Sequence, residues 1–353
     1  MTVKITLPHD NSYEIFIDEL NELYFDRKVV IITNPTVSGF HLEYLKTKIN
    51  ARELSVCTIP DGEEYKHMQT IEDMLAHCFT HRLDRKSLLI AFGGGVIGDM
   101  TGFAASIYQR GIDFVQIPTT LLSQVDASVG GKTGINNKFG KNLVGAFHQP
   151  IAVYIDPNFL KTLPKREFGA GVAEIVKMAV TFNKDFFEWL EQNDLTTDEN
   201  IRIAIAKSVQ TKADVVSQDE KELGIRAALN YGHTFGHVIE NETNYDTYLH
   251  GEAVGIGMCM ANALAVKLGL MSKDEELRVK NLLEKYDIPT TYKIKDIEDF
   301  YEHYCFKSFE KYNNSKTEEY TVNQIISLFE IMLDSMFRYQ PDNFLPEDTI
   351  NIS

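Results

Sequence analysis

SLLIAFGGGVIGDMTGFAASIY, residues 87–108, is the clearest indication of the class of fold. It opens with SLLIAF (87–92), a mainly apolar run of the kind found in parallel strands that are buried on both faces. Gly93, Gly95 and Gly98 then satisfy G-x-G-x-x-G, and the rest is predicted to be a helix. Glycines at such a junction let a pyrophosphate approach the backbone at the N-terminus of a helix. The pattern indicates nucleotide binding, although a tight strand-to-helix turn that binds nothing would have it too.

Strand-like and helix-like segments alternate on both sides of this unit. KVVIIT (28–33), residues 51–60 and DFVQIP (113–118) read as strands, and Asn34-Pro35 reads as a turn after the first of them. Residues 67–80 place apolar side chains at helical spacing. Strands that alternate with helices predict a parallel α/β sheet in the first part of the chain.

The pattern changes after about residue 155, where four segments have a repeat of 3.6 residues and none reads as a strand. These segments are residues 166–182, 201–216, 229–241 and 252–270. We therefore predict an α/β domain over residues 1–155 and an all-helical domain over residues 156–353. The active site is expected in the cleft between them.

Composition and charge limit the classes of function. The chain of 353 residues is 44% hydrophobic and 24% charged, as in an ordinary globular protein, and its formal net charge is −16. Such an acidic chain repels nucleic acid and anionic membrane surfaces, so we expect neither as a partner. The N-terminus shows no signal-peptide pattern, and the four cysteines form no CxxC pair, which favours reduced thiols in the cytoplasm. The most apolar stretch, Ala253–Val266, is too short to cross a bilayer and is predicted to be a buried helix.

A basic and polar tract, residues 110–145, is unusual in this acidic chain. Its notable side chains are Arg110, Thr119, Thr120, Asp126, Lys132, Lys141 and Asn142. Glycine precedes Lys132 and Lys141, which suits a phosphate because the backbone can come close while the ammonium neutralises charge. A solvated loop is the alternative for this tract. A second signal is DGEEYK (61–66), which by itself reads as the start of a helix.

Histidines and carboxylates cluster in the helical half. GHTFGH places His233 and His237 four residues apart on one face of a helix, where two imidazoles can bind one metal ion. His250 in HGEAV and Glu174 in AEIVK supply further candidate ligands, and Lys177 follows Glu174 after one turn. A His/His/Glu set with an open position is typical of catalytic zinc. Spacing alone favours His233 and His237 as the ligand pair, and histidines with structural roles are the alternative.

Taken together and in this order, the segments resemble the 3-dehydroquinate synthase family of sugar-phosphate cyclases. The matching segments are DGEEYK, GGGVIGDMTGF, the run from YQRGIDF to GAFHQP, FLKTLPKREFGAGVAEIVK, KADVVSQDEKELGIRAALNYGHTFGHVIE and HGEAV, over most of residues 28–290. The resemblance implies a Rossmann-like NAD-binding domain followed by a helical domain that binds metal and substrate. It also implies a homodimer, NAD as cofactor and one divalent metal ion, zinc or cobalt.

The resemblance implies an activity as well. Members of the family convert 3-deoxy-D-arabino-heptulosonate 7-phosphate to 3-dehydroquinate and phosphate, in the second step of the shikimate pathway. The steps are transient oxidation by NAD, elimination of phosphate, reduction, ring opening and intramolecular aldol closure, without net oxidation. The substrate is a sugar phosphate that carries a carboxylate and a phosphate, so the site needs cationic side chains.

Site residues follow from the resemblance, position by position. The implied metal ligands are Glu174, His233 and His250, while His237 faces the leaving phosphate instead of the metal. The implied catalytic and substrate-binding residues are Lys132, Asn142, Lys177, Lys212, Arg226, Asn230 and His237, with Asp126 beside them and Arg110 reaching the neighbouring subunit's phosphate site. Among these, Lys212 and Arg226 would neutralise the carboxylate, and Lys132, Asn142 and His237 would hold the phosphate.

The implied NAD contacts come from several short segments. They are Asp61, Gly62, Glu63, Glu64, Tyr65, Lys66, Gly94, Gly95, Val96, Ile97, Gly98, Asp99, Thr119, Thr120, Lys132, Lys141, Phe159, Leu160, Lys161 and Thr162.

The resemblance ends near residue 305. The family pattern has an Asp-Lys-Lys stretch after FYEHY (300–304), and one of its lysines helps to bind the phosphate, whereas CFKSFEKY follows here. Either a shift of reading frame has replaced the end, or the tail has diverged and Lys307 or Lys311 binds the phosphate.

Three other functions share parts of the pattern. A metal-dependent NAD polyol dehydrogenase of related fold would not need lysines and an arginine for two anionic groups. A cyclase that makes an inosose ring would not need Lys212 and Arg226 for a carboxylate. A protein that keeps the fold but is impaired by its altered C-terminus is the third alternative.

Overall fold

The computed structural model describes residues 1–7, 11–222, 224–243 and 246–293. Nine strands lie in this part of the chain. They are β1 (Thr2–Ile5), β2 (Tyr13–Ile17), β3 (Leu23–Thr33), β4 (Ile49–Thr58), β5 (Leu88–Gly93), β6 (Asp113–Pro118), β7 (Lys132–Asn137), β8 (Gly140–Phe147) and β9 (Ala152–Ile155). Seven of them form one sheet in the order β1-β2-β9-β6-β5-β3-β4, while β7 and β8 form a separate antiparallel hairpin.

Nine α-helices accompany these strands in the described residues. They are α1 (Pro35–Lys48), α2 (Met68–Thr80), α3 (Gly95–Ile107), α4 (Lys165–Phe182), α5 (Lys184–Gln192), α6 (Asp198–Gln218), α7 (His233–Glu242), α8 (His250–Lys267) and α9 (Lys273–Glu284). Every strand lies before residue 156 and every helix from α4 onward lies after it. The predicted combination of an α/β part and an all-helical part is thus confirmed, while the domain boundary at residues 155 and 156 stays a prediction.

Strand β5 lies in the interior of the sheet, as its apolar sequence predicts. All six of its residues are buried, and it pairs in parallel with β3 on one side and β6 on the other. Buried parallel strands need apolar side chains on both faces, which explains the continuous run Leu88–Phe92. The predicted parallel sheet is confirmed for β2, β9, β6, β5, β3 and β4, and β1 adds an antiparallel strand at one edge.

Asn34-Pro35 starts a helix and does not form a turn, which corrects the prediction. Asn34 is the N-cap of α1, and its Oδ1 accepts a hydrogen bond of 2.8 Å from the backbone N–H of Val37. Pro35 occupies the first helical position, where its missing N–H does no harm and its fixed φ suits a helix. Proline at this position is therefore as compatible with a helix as with a turn.

Helices α4 and α8 cross with almost no space between their backbones. A Cβ atom added at Gly251 would lie 2.0 Å from the carbonyl oxygen of Ala170. At the same end of α8, Arg166 donates two hydrogen bonds of 2.6 Å to Glu252, whose Oε2 also accepts from the backbone of Leu249. The close approach and the ion pair together fix the start of α8 against α4.

Helix α8 contains the apolar stretch Ala253–Val266, and most of the residues at its start are buried. The prediction of a buried helix is confirmed for Ala253–Met258, whereas Ala263 is exposed. Within the described ranges, no helix has both the length and the apolar character that crossing a bilayer requires.

Candidate active site

The segments that the resemblance assigns to NAD all lie at one edge of the sheet. Strands β3, β4, β5, β6 and β9 run parallel to one another, so their carboxyl ends meet at this edge. Residues 61–66 follow β4, residues 94–99 follow β5, Thr119 and Thr120 follow β6, and residues 159–162 follow β9. Ligands of open α/β sheets bind outside the carboxyl ends of the strands, where the strand order reverses. This edge is the expected cofactor position.

The loop of residues 61–66 is held by polar contacts from two sides. Asp61 accepts hydrogen bonds from Asn34 Nδ2 at 2.7 Å and Thr36 Oγ1 at 2.6 Å. Glu63 Oε1 accepts from Asn136 Nδ2 at 2.7 Å, which ties the loop to β7. The loop is therefore fixed on α1 and on the hairpin before any cofactor binds.

Lys66 ends this loop and is only 4% exposed. Its Nζ donates to Asp99 Oδ2 at 2.6 Å and to Asn142 Oδ1 at 2.5 Å. Burial alone would lower the pKa of Lys66, but the carboxylates of Asp99 and Glu63 outweigh it and raise the pKa. Lys66 is thus a buried cation that joins the loop, α3 and β8.

The glycine-rich turn is shorter than predicted, because α3 begins at Gly95 and leaves Gly94 as its N-cap. The glycines have packing roles in this structure. A Cβ atom at Gly98 would lie 2.7 Å from Gln116 Oε1 on β6, and one at Gly94 would lie 3.2 Å from Thr120 Cγ2. Small residues here bring the first turn of α3, with Val96 and Ile97, close to β6, as a dinucleotide-binding helix requires.

The other two cofactor segments are also ordered by local contacts. The backbone N–H of Thr119 donates to the Gly93 carbonyl at 2.9 Å, and Thr120 hydrogen bonds with Ser123. Phe159 is buried between Phe92 and His41.

Residues 159–162 lie in a short 3-10 helix, Pro157–Thr162, which includes Leu160 and the exposed Lys161. The structure therefore places all four segments around one edge.

The basic tract forms a hairpin, so the alternative of a solvated loop is wrong for its second half. Lys132 begins β7, while Lys141 and Asn142 lie in β8. Lys132 Nζ pairs with Glu222, and Lys141 Nζ lies 3.3 Å from Glu240 Oε1. The hairpin thus carries the predicted lysines onto side chains of the helical half.

Glu174, His233 and His250 come together from α4, α7 and α8. One ligand atom from each lies within 4.8 Å of the other two. His233 Nε2 is 3.8 Å from Glu174 Oε1, and His250 Nε2 is 3.9 Å from the same oxygen. Two ligands at about 2.1 Å from one metal ion can be at most about 4.2 Å apart, so these separations suit a single ion.

The chemistry of this group also fits a metal ion. Glu174 is fully buried, and neither of its carboxylate oxygens has a hydrogen-bond partner in the described part of the chain, although Lys177 Nζ is in ion-pair contact with Oε2. Burial, together with the nearby charge of Lys177, lowers the pKa of His233 well below its usual value, which keeps the imidazole neutral. An unsatisfied carboxylate beside a neutral imidazole is suited to a divalent cation.

His237 lies next to this group but belongs to a second one, formed with Glu240 and His250. Its Nδ1 is 2.9 Å from Glu240 Oε2, and its side chain is 46% exposed. Spacing alone favoured His233 and His237 as the ligand pair. In the structure His250 takes the place beside His233 and Glu174, while His237 faces solvent at the site.

Lys212 and Asp126 form the main ion pair of the substrate region. Lys212 Nζ donates 2.6 Å hydrogen bonds to Asp126 Oδ1 and to the Asp126 carbonyl. Burial lowers the pKa of Lys212 to about 8, because the attraction of Asp126 is opposed by the charges of Arg226 and Lys177. Asp126 is partly buried, yet Lys212 and Lys177 lower its pKa. One carboxylate among several cations stays ionised, whereas each cation is destabilised by the others.

Arg226 is 2% exposed and donates from its guanidinium to the carbonyls of Glu220 and Gly130. Asn230 donates to Glu222 at 2.9 Å, and Lys132 pairs with the same carboxylate. The structure therefore brings Lys132 and Asn230 together through Glu222. Arg226, by contrast, donates to backbone carbonyls.

Sequence reasoning missed Glu222 and Glu240. Glu222 lies in the acidic run SQDEKE, which gives no functional signal. Glu240 follows His237 by three residues, so the two share a helix face, and that spacing was available.

Two sets of predicted residues lie apart from this site or outside the described ranges. Arg110 is exposed and forms no ion pair with any residue in the described ranges. The tail, with the missing Asp-Lys-Lys stretch, Lys307 and Lys311, lies outside the described residues.

The fold is shared with sugar-phosphate cyclases of known structure. A solved structure of 2-deoxy-scyllo-inosose synthase, complexed with carbaglucose-6-phosphate, NAD+ and Co2+, matches with a TM-score of 0.77 and 25% identity. The match covers 90% of each chain.

Sequence comparison identifies the family. Models described as 3-dehydroquinate synthase N-terminal and C-terminal match residues 56–170 and 171–306. The 3-dehydroquinate synthase of Sulfurovum sp. is 66% identical over 317 residues, 89% of this chain and 90% of the relative. That of Sulfurimonas denitrificans is 69% identical over 293 residues, 83% and 84% of the two chains. The chain belongs to the 3-dehydroquinate synthase family.

Family membership confirms the main prediction of function. The polyol dehydrogenase alternative is not favoured, because both halves match models of the synthase. The second family model ends at residue 306, next to the position where the resemblance ends.

Proposed function

We propose that the chain catalyses the conversion of 3-deoxy-D-arabino-heptulosonate 7-phosphate to 3-dehydroquinate and phosphate. The observation that carries this proposal is the meeting of Glu174, His233 and His250 beside a cationic region built around Lys212. A substrate with a carboxylate, a phosphate and an alcohol to be oxidised needs both features. The family membership supports the same reaction.

NAD and one divalent ion, zinc or cobalt, are the proposed cofactors. Glu174, His233 and His250 would hold the metal, and the four segments at the sheet edge would hold NAD. When bound, the metal acts as a Lewis acid on the reacting oxygen, and NAD accepts and returns a hydride. The related 2-deoxy-scyllo-inosose synthase was solved with both NAD+ and Co2+, which supports this pair of cofactors.

The chain's own residues would bind and orient the substrate. Lys212 is a buried cation whose charge is already opposed by its cationic neighbours, so an incoming carboxylate is favoured there. Lys132 and His237 are both partly exposed at the site and would take the phosphate. Arg226 would act from behind by holding the loop around Gly130.

Three residues have more specific proposed roles. Lys177 touches Glu174 and would hold that carboxylate in position. Asn142 would position Lys66 for the cofactor, since it accepts from Lys66 at 2.5 Å. Asn230 would orient Glu222 and through it Lys132.

Two further features rest on the family alone. A homodimer would bring the exposed Arg110 to the partner's phosphate site, and a cytoplasmic location would suit a biosynthetic enzyme with buried thiols. Sedimentation of the purified protein tests the first.

Phosphate release from the seven-carbon substrate, with NAD and zinc or cobalt present, tests the main proposal. We expect phosphate and 3-dehydroquinate in equal amounts with no net NADH. Net NADH without phosphate would indicate a dehydrogenase. A protein that binds metal and NAD but releases no phosphate would indicate that the altered C-terminus impairs it, and either outcome would refute the proposal.

A further inference from the structure

Glu240 is a buried carboxylate that no predicted role includes. It lies on α7, its side chain is 3% exposed, and it faces the interior of the site. Three polar side chains from three elements surround it: Lys141 from β8, His237 from α7 and His250 from α8. Each of the three belongs to a different proposed subsite, for cofactor, phosphate and metal respectively.

The two oxygens of Glu240 are divided among these neighbours. Oε2 is 2.9 Å from Nδ1 of His237. Oε1 is 3.5 Å from Nδ1 of His250 and 3.3 Å from Nζ of Lys141. The carboxylate therefore faces the same nitrogen, Nδ1, in both imidazoles.

This geometry has a consequence for both rings. An ionised carboxylate only accepts hydrogen bonds, so Nδ1 of His237 must carry the proton in the 2.9 Å contact. The longer 3.5 Å contact favours the same arrangement for His250. In the neutral ring, Nε2 is then left with its lone pair. For His250 that nitrogen faces Glu174, at 3.9 Å from Oε1, where the metal ion is proposed.

We propose that Glu240 is a positioning residue that orients His250 towards the metal and His237 towards the substrate phosphate. It acts through these two rings and does not touch the reacting atoms. A carboxylate behind a metal-bound histidine fixes the ring and raises its basicity, and its loss commonly reduces metal affinity 10- to 100-fold. The proposal rests on the proposed function for the roles of the two histidines.

The same three residues could form a second metal site, because their ligand atoms also lie within 4.8 Å of one another. The hydrogen bond between His237 Nδ1 and Glu240 Oε2 uses two of those atoms. The cationic Lys141 beside Oε1 also disfavours another cation there. A single metal ion per chain, with Glu240 behind its ligand, is therefore the reading that we test.

The first experiment compares Glu240→Gln with the wild-type chain, using zinc alone as the probe. Competition with a chromophoric chelator gives metal affinity and stoichiometry, and turnover gives kcat and KM. We expect a 10- to 100-fold weaker affinity, one ion per chain in the wild type, and a raised KM. Glu242→Gln is the matched control, since Glu242 lies on the same helix and accepts from Tyr292. It should change neither quantity.

A double substitution separates the two arms of the proposal. In a His237→Ala background, Glu240→Gln should no longer raise KM, because it acts on the phosphate through His237. Its effect on zinc affinity should persist, because that effect runs through His250. If Glu240 had only a structural role, Glu240→Gln would change zinc affinity and KM to the same extent in the wild-type and His237→Ala backgrounds.

If the variant does not fold, selective 15N-histidine NMR of the wild-type protein tests the proposal by reporting the tautomer of each imidazole. We expect the Nδ1–H tautomer for His237 and, with zinc bound, for His250. An Nε2–H tautomer of His237, unchanged zinc affinity in Glu240→Gln, or two zinc ions per wild-type chain would each overturn the proposal. Failure of the wild type to bind zinc or release phosphate would instead refute the proposed function.

Discussion

Among the described residues, Glu174 combines two properties that rarely occur together, full burial and carboxylate oxygens without a hydrogen-bond partner. A group in this state is expensive to maintain unless a cation binds to it. Lys177 supplies part of that compensation in the described structure. The residue is thus prepared for a metal ion by its burial, and Lys177 on the same helix supplies only part of the compensating charge.

We therefore predict that Glu174→Gln weakens zinc affinity by more than about 100-fold, beyond the effect of groups that only support a ligand. The amide keeps the shape but removes the charge that the metal needs. Equilibrium competition with a chelator measures the change. Glu199→Gln, at an exposed position on α6, is the control. Wild-type zinc affinity in Glu174→Gln would contradict the proposed ligand set.

Lys212 gives the site a dependence on pH. Its pKa is lowered to about 8 by burial and by the nearby cations Arg226 and Lys177. Above that pH the lysine becomes neutral, so we predict that KM for the anionic substrate rises by up to about tenfold per pH unit. Steady-state kinetics across this range measures the change. Lys212→Arg keeps its charge, so its KM should stay level, and an identical rise in both proteins would contradict the assignment.

The stability of the protein responds to the same group with the opposite sign. Between the lowered pKa of Lys212 and its usual value of 10.5, the unfolded chain binds a proton that the folded chain does not. Stability therefore gains from a rise in pH through this window. We predict that urea unfolding shows this gain in the wild type and not in Lys212→Met. Equal pH dependence in both would contradict it.

Sequence reasoning located the site residues better than it assigned their partners. His233 and His237 were visible as a pair because helical spacing puts them on one face. His250, and not His237, lies beside Glu174 because α8 packs against α4. Residue spacing within one helix cannot reveal that contact. Glu222 was invisible for the same reason, since its partner Lys132 is 90 residues away.

At the scale of elements, the crossing of α4 and α8 sets the distance between Glu174 and His250. The crossing is close because Gly251 has no side chain. The ion pair of Arg166 with Glu252 holds the helices at the same end. The distance between Glu174 and His250 is thus set by helix packing at Gly251, the residue next to His250.

We predict that Gly251→Ala weakens zinc binding and destabilises the fold by about 1–3 kcal/mol, as overpacking usually does. The new Cβ would lie 2.0 Å from the Ala170 carbonyl, so α8 must move away from α4. Urea unfolding and chelator competition measure the two effects. Gly39→Ala in α1 is the control, because nothing lies within 4 Å of its added Cβ. Full zinc affinity in Gly251→Ala would contradict this account of the spacing.

Strands and helices of strong pattern were predictable, and elements of weak pattern were not. Strand β5 and helix α4 follow from apolar runs and helical periodicity. The hairpin of β7 and β8 is rich in glycine and lysine, so its sequence resembles a loop. It is a hairpin because its strands pair with each other and pack on α3, a tertiary effect that local patterns do not contain.

For the whole molecule, the proposed cofactor and metal sites draw on distant parts of the chain. Residues from four loops converge on the sheet edge, and three helices meet at the metal group. Ligands that bind only this folded arrangement must stabilise it. The family models match residues 56–306, a range that contains both the four loops and the metal group.

We predict that NAD and zinc each raise the melting temperature. At one hundred times its Kd, either ligand should add about 2.7 kcal/mol to the free energy of unfolding. Differential scanning calorimetry with and without each ligand measures this. ATP at equal concentration is the control for a nucleotide that lacks the nicotinamide. A melting temperature that responds to neither ligand would contradict both proposed sites.

The anchoring of residues 61–66 on α1 and the hairpin bears on how long the cofactor stays. A dehydrogenase must release its reduced cofactor after every cycle, so a rigid loop that binds the cofactor firmly would slow its turnover. In a cyclase the hydride returns within the same cycle, and one molecule of cofactor can serve many turnovers. Asn136 and Asn142 hold the proposed NAD loop from the hairpin, an arrangement that suits a cofactor retained over many turnovers.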